Sequence, residues 1–374
     1  MISDWTLWLE WFLKALAVAM SLLGGFIVLT WYERRALARL QNRIGPNRAG
    51  PFGLFQPFAD AIKLVFKEEF TPAKADKLLF FWAPVITMVP SIIMAAVIPW
   101  GTSFTLWNGR VVTLYLADIN VGVLYLMSIA SIAVYGIVLA GWSSNNKYAM
   151  LGGLRSSAQM LSYELALGLS FVITIILANS MRILDIVNEQ RTMWFAVIQP
   201  VGAVIFWIAT LAEVNRAPFD MPEAEQELTA GYHSEYSGMK FALFFMAEYQ
   251  KMIVVCMMTA TLYFGGFLGP FVDQYPLLGP VYLLIKVVIL LFVMIWVRAT
   301  WPRIRYDRLM AFGWKILLPL SLAITFITAT GIVLADVSNN PLYFWAIPVV
   351  SILVGLFTVV MVYRELRRLS YERA

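Results

Sequence analysis

Residues 213–248 read EVNRAPFDMPEAEQELTAGYHSEYSGMKFALFFMAE and join two strongly apolar segments. Within and at the edges of this stretch stand seven carboxylates: Glu213, Asp220, Glu223, Glu225, Glu227, Glu235 and Glu248. Only Arg216, Lys240 and the lone histidine, His233, offer positive charge nearby. A plain connection between two membrane helices has no need of such a cluster. Carboxylates crowded at the edge of low-dielectric surroundings raise one another's affinity for protons, so some can bind and release protons near neutral pH. The stretch therefore points to a proton-handling site at a membrane surface.

Working outward, the rest of the chain supplies the membrane. Apolar residues make up 60% of the sequence, charged residues 14%, and mean hydropathy is +0.74; soluble domains carry about 25% charged residues. Beyond Trp5–Trp31, apolar spans fall near 79–99, 119–142, 157–179, 196–213, 240–265, 279–297, 315–334 and 344–363. Each is long enough to cross a hydrocarbon core of ~30 Å. The expected fold is all-α: a polytopic membrane bundle of about nine transmembrane helices in a single domain over residues 1–374. No internal repeat or long polar linker divides it. The first span is not expected to be a cleaved signal, because no basic residue precedes it and it runs directly into Glu33-Arg34-Arg35.

Basic residues give the orientation. Loops 33–78, 143–156, 214–240 and 298–315 and the tail 364–374 carry 9, 2, 2, 5 and 4 Lys+Arg, 22 of the 28 in the chain. The opposite loops hold only Arg110, Arg182 and Arg191. The N-terminus is thus expected outside and the C-terminus in the cytoplasm, with the acidic stretch on the cytoplasmic side. The charge excess needs no nucleic acid to explain it.

In the first cytoplasmic loop, Gly-Pro turns at 45–46 and 50–51 give way at Gln56 to a helical pattern. Phe58, Ile62 and Val65 recur on one face, with Asp60, Lys63 and Lys67 on the other. This predicts an amphipathic helix in the membrane interface. Beside it, a slot with Arg34, Arg43 and Asp60 at its polar end could admit a long-tailed apolar substrate from the bilayer.

Intramembrane acids reinforce the proton reading. Glu164 and Glu248 each lie about two turns inside the cytoplasmic ends of their helices, and Glu213 closes the helix between them. A charge in hydrocarbon costs at least ~2.5 kcal/mol, so such groups face a bundle interior or a wet path. The plainer reading for Glu248 is an ion pair with Lys251 one turn on. Lys286 can either snorkel outward or serve a relay. His233 alone is a poor metal-ligand set and more plausibly hydrogen-bonds within its acidic loop. Arg298, Arg303, Arg305 and Arg308 read as topogenic charge or as a docking surface for a partner. One cysteine, Cys256 in an apolar helix, excludes a disulfide framework or a cysteine-ligated cluster within the chain. No phosphate loop, nucleophile elbow or HExxH pattern occurs, so self-contained catalysis is not expected.

Four long motifs carry a family resemblance: ERRALARLQNRIGPNRAGPFGLFQPFADAIKLVFKEEFTP, GWSSNNKYAMLGGLRSSAQMLSYE, EVNRAPFDMPEAEQELTAGYHSEYSGMKFALFFMAEY and RATWPRIRYDRLM. In this order, over roughly residues 31–310, they resemble the H-subunit family of proton-pumping NADH:quinone oxidoreductase, respiratory complex I. The resemblance implies a translocase component at the junction of the membrane and hydrophilic arms, within a bacterial inner membrane. By matching positions, Arg34, Arg43, Asp60, Ala61 and Arg216 would line or shape a quinone tunnel. Glu164, Glu213, Glu223, Glu225, Glu227, Glu235 and Glu248 would form the carboxylate path that couples quinone reduction to proton translocation. Quinone would be a substrate shared with partner subunits, which would hold the FMN and iron–sulfur clusters; no metal or flavin is expected in this chain. Partners would be the other complex I subunits of both arms, with membrane lipid. Most members have eight helices, so the ninth, 344–363, departs from that plan. Two other readings stand beside this one: the related membrane component of membrane-bound nickel–iron hydrogenases and formate hydrogenlyases, and a free-standing proton-coupled transporter. The first-loop match argues against the former. The lack of an inverted repeat argues against the latter.

Overall fold

The computed structural model describes residues 4–105, 109, 111–221 and 230–371. Helix α1 spans Asp4–Leu40, α2 Gln56–Val65 and α3 Lys77–Ala95. A short antiparallel hairpin follows, β1 (Ser103–Thr105) with β2 (Val111–Thr113), in the register Ser103↔Thr113. Then come α4 (Gly122–Ser143), α5 (Lys147–Ala178), α6 (Ile183–Glu189), α7 (Phe195–Ile198) and α8 (Pro200–Glu213). After the acidic stretch stand α9 (Gly238–Tyr263), α10 (Leu278–Thr300), α11 (Tyr306–Phe312), α12 (Leu318–Ser338) and α13 (Pro341–Tyr371). A π-helical turn at Gly313–Leu317 fuses α11 and α12 into one span.

Polar caps set where the helices begin and end. Asp76 accepts hydrogen bonds from the N–H groups of Leu78 and Leu79 at the start of α3, and Asn146 does the same for Tyr148 at the start of α5. Asn179 and Asn339 close α5 and α12 in the left-handed conformation, φ 48° and 52°, which asparagine tolerates.

The chain is an all-helical polytopic membrane bundle with eight helices long and apolar enough to span among the described residues. The expected span 196–213 is the exception. It is broken at Gln199, whose backbone (φ −134°, ψ 70°) leaves the helical region just before Pro200. Proline disfavours a helical residue ahead of it and lacks the N–H that would continue the ladder. The 14-residue α8 is then only ~21 Å long and needs α7 to approach the far face. Gln199 is fully buried at the break, and its Nε2 donates to Thr328 Oγ1 of α12 at 2.6 Å. The amphipathic helix is present as α2, with Phe58, Ile62 and Val65 exposed and the helix resting on α1 and α9.

At the centre stands α9, which packs against α1, α3, α8 and α10. Between apolar helices in lipid, association depends on close van der Waals contact, which small residues allow. Gly152 does this where α5 meets the segment at Gly231: a Cβ there would sit 2.6 Å from Gly231 Cα. On the face away from the acidic stretch, Arg182 pairs with Asp118, and Arg191 with Asp273 at 3.1 Å. Lys286 turns its ammonium onto the carbonyls of Gly266 and Leu268, each at 2.8 Å, and so holds that loop to α10.

Candidate functional site

The end of the bundle bearing the acidic stretch collects charge from four separate parts of the chain. Glu33 lies near the inner end of α1 and is buried. Arg216, in the turn after α8, reaches Glu33 Oε1 at 3.3 Å and Glu248 Oε1 of α9 at 2.6 Å. Arg298, from the last turn of α10, pairs with the same Glu33 oxygen. The result is an alternating row, Glu248–Arg216–Glu33–Arg298, in which two acids and two bases balance. The Arg216 guanidinium also lies over the Tyr249 ring, 4.4 Å from its centroid. Arg216 is 3% exposed and Glu33 2%, so desolvation must be met by these partners.

A second pair stands beside the first. Lys251 Nζ of α9 is 3.2 Å from Glu213 Oε1 at the end of α8, with both side chains about nine-tenths buried. Lys251 sits one turn from Glu248 yet reaches across to another helix, and Glu248 is engaged by Arg216. Glu213, Glu248 and Lys251 line one cavity together with Asn215, Thr87, Tyr232 and His233. This cavity lies among α3, α4, α5, α8 and α9, and its otherwise largely apolar wall brings two acids and a lysine to one space.

Two other acids of the predicted set have partners of their own and do not line this cavity. Glu164 of α5 accepts a hydrogen bond from Ser131 Oγ of α4. Glu235 accepts one from Asn146 Nδ2 at 2.7 Å, which ties the acidic stretch to the α4–α5 turn. Next to it Tyr236 stacks on Phe80 with centroids 4.0 Å apart and lies within hydrogen-bonding distance of Ser143 Oγ, 3.2 Å. Burial pushes the Tyr236 phenol up to about 12, so it stays neutral and acts as an anchor. His233 packs edge-on against Tyr232 at 4.9 Å. Glu223, Glu225 and Glu227 lie outside the described residues.

The residues expected to form a tunnel divide. Arg34 Nη1 and Asp60 Oδ2 meet at 2.5 Å and join α1 to α2, with Gln56 Nε2 donating to Asp60 Oδ1 at 3.1 Å. Arg216 is deep in the charged row. Arg43 stays on the exposed surface, donating to Gln41 at 2.7 Å, and Ala61 lies on an exposed face of α2. The residues that sequence reasoning passed over are Glu33 and Arg298, which the structure places at the middle and end of the row. A signal for Glu33 existed: it is a lone acid directly beneath an apolar span. Among the described residues no three of His, Cys, Asp and Glu gather as a metal site would require.

Comparison with known proteins places the chain among relatives. The family model described as NADH dehydrogenase matches residues 13–329, so α13 lies beyond the matched region. The chain is 49% identical over 329 residues to the NADH-quinone oxidoreductase H subunit of Thermomicrobium roseum, covering 85% of this chain and 95% of the relative. It is 51% identical over 309 residues to an NADH-quinone oxidoreductase H subunit of Geobacter metallireducens, covering 81% and 92%. For the H subunit of Rhodospirillum centenum the identity is 47% over 326 residues, covering 86% and 94%.

Proposed function

The chain belongs to the H-subunit family of NADH-quinone oxidoreductase, and on that premise we propose that it couples quinone reduction to proton movement through its buried charged row. Within that complex it works with the other complex I subunits, which supply the electrons. The quinone is a substrate that enters beside α2, where Arg34 and Asp60 join α1 to the interfacial helix. Its head group approaches Arg216, and the surrounding tunnel is shaped by Arg34, Arg43, Asp60, Ala61 and Arg216 together with partner subunits. The acidic face is cytoplasmic.

The observation that carries the proposal is the direct contact of the Glu248–Arg216–Glu33–Arg298 row with the cavity that Glu213 and Lys251 line. Reduction of the head group places negative charge and a proton demand near Arg216. Any change in how Arg216 divides its charge between Glu33 and Glu248 alters how strongly Glu248 holds a proton, because each oxygen is within 3.3 Å of the same guanidinium. Glu213 shares the cavity with Glu248, so the disturbance passes to the Glu213–Lys251 pair and on towards Glu164 and Glu235. Glu223, Glu225 and Glu227 extend the same carboxylate path. The chain's own part is electrostatic and positional; the redox steps belong to its partners.

Replacing Glu213 with Gln tests this. In sealed vesicles containing the assembled complex, protons moved per NADH oxidised should fall severalfold, with NADH oxidation by an artificial acceptor intact. Unchanged pumping together with unchanged quinone turnover removes Glu213 from the mechanism.

A further inference from the structure

We propose that Gln159 of α5 is the positioning residue of this site, its side-chain amide holding the turn that presents both Glu213 and Arg216. The inference rests on the roles given to those two residues above. Gln159 is fully buried, and the two N–H groups of its Nε2 face Phe219 O at 2.7 Å and Ala212 O at 2.9 Å, with Asn215 Oδ1 sharing the donation at 3.3 Å. Ala212 precedes Glu213, and Phe219 follows Arg216 by three residues, so one amide brackets both charged side chains.

The turn has backbone bonds of its own at its two ends, Val214 N to Thr210 O at 3.0 Å and Phe219 N to Arg216 O at 2.9 Å. At the C-terminal end of a helix the last carbonyls lack intrahelical donors. Between those ends the bonds are longer, Asn215 N to Ala212 O at 3.3 Å and Arg216 N to Leu211 O at 3.4 Å. Asn215 sits in the left-handed region at φ 58°, so the chain reverses sharply between the two charges. An apolar side chain at 159 would remove the shorter of two donors to the buried Phe219 carbonyl, leaving only Met221 N at 3.2 Å, which costs stability. A lysine or arginine could donate there, but would add a charge beside the Glu213–Lys251 pair and the Arg216 row. An uncharged amide satisfies the carbonyls and leaves the charge balance of the site alone. Glu213 and Arg216 belong to different ion-pair groups, one facing Lys251 and the other Glu33 and Glu248. Holding their common turn fixes the spacing between those groups.

The test uses the whole complex in sealed native vesicles with Gln159→Met, which keeps the length and removes the donor, and Gln159→Glu. Glu213→Gln runs in parallel. Rates are normalised to reduction of an artificial acceptor, which reports the amount of intact complex. For Gln159→Met the expected result is a several-fold higher quinone KM and protons moved per electron lowered by about half or more, since small misplacements of reacting groups carry large rate costs. For Gln159→Glu the carboxyl donates a hydrogen bond only when protonated. Its coupling, relative to the unaltered complex at each pH, should therefore improve from about pH 8 to about pH 6, a response the Met variant lacks. A lower yield of complex with unaltered KM and proton ratio would make Gln159 merely structural and overturn the proposal. So would normal values in the Met variant while Glu213→Gln uncouples. If Glu213→Gln is also silent, the functional reading beneath the proposal fails instead. Should the Met variant not assemble, a flat pH response of the Glu variant overturns the proposal by itself.

Discussion

Lys251 and Glu213 face each other at 3.2 Å, both about nine-tenths buried. Removing one partner of such a pair strands the other charge in the interior, which costs about 3–5 kcal/mol, whereas removing both is far milder. Lys251→Met and Glu213→Gln alone should each lower the thermal midpoint of the complex, and the double variant should recover most of that loss. The residual coupling from a double-mutant cycle measures the pair; additive losses would show that the two charges do not sense each other. Proton pumping should stay impaired in the double variant, which separates stability from function. At this scale the sequence was readable in part. Glu164, Glu213 and Glu248 stood out because acids are rare inside apolar spans. Their partners did not, because helical periodicity reports which residues share a face and not which helices meet. Arg298 lies 265 positions from Glu33, and in sequence it was indistinguishable from the other basic residues that set topology.

Elements meet through backbone as well as charge, and α5 shows where that matters. A Cβ on Gly152 would lie 2.6 Å from Gly231 Cα and 2.9 Å from Tyr232 N, both main-chain atoms that cannot rotate away. Gly152→Ala should therefore push residues 231–233 outward, shift Tyr232 and His233 in the cavity wall, and cost about 1–3 kcal/mol, the usual range for overpacking. Gly153→Ala serves as the comparison, since its nearest neighbour, Ile137 O, would be 3.2 Å away. Thermal stability and proton coupling should both fall more for Gly152→Ala; equal effects would sink the contact argument. Most elements were legible, since long apolar runs and the Phe58/Ile62/Val65 face declare themselves by composition and period. The hairpin at 103–113 did not, because three-residue strands carry too little pattern. The break before Pro200 was masked by the apolar residues on both sides of Gln199, although the pre-proline position was the clue.

Across the described residues, the ion pairs sort into two faces. Glu33, Arg216, Glu248 and Arg298 tie together the ends of α1, α8, α9 and α10 at one face. Arg191 and Asp273, with Lys14 bonded to Thr113 at 2.7 Å, tie loops together at the other. The loops expected on the first face, with the C-terminal tail, hold 22 of the 28 Lys and Arg residues, and basic loops are retained in the cytoplasm. Introduced cysteines test which face is which. Lys147 is exposed at the start of α5 on the basic face, and Val337 is 81% exposed at the end of α12 on the other. The native thiol, Cys256, is fully buried and should stay silent. A membrane-impermeant maleimide should label Val337→Cys in intact cells and Lys147→Cys only in inside-out vesicles. The reverse pattern would put the charged row outside the cell. That would overturn the proposed orientation and, with it, the proposed coupling to electron-supplying partners on the cytoplasmic side.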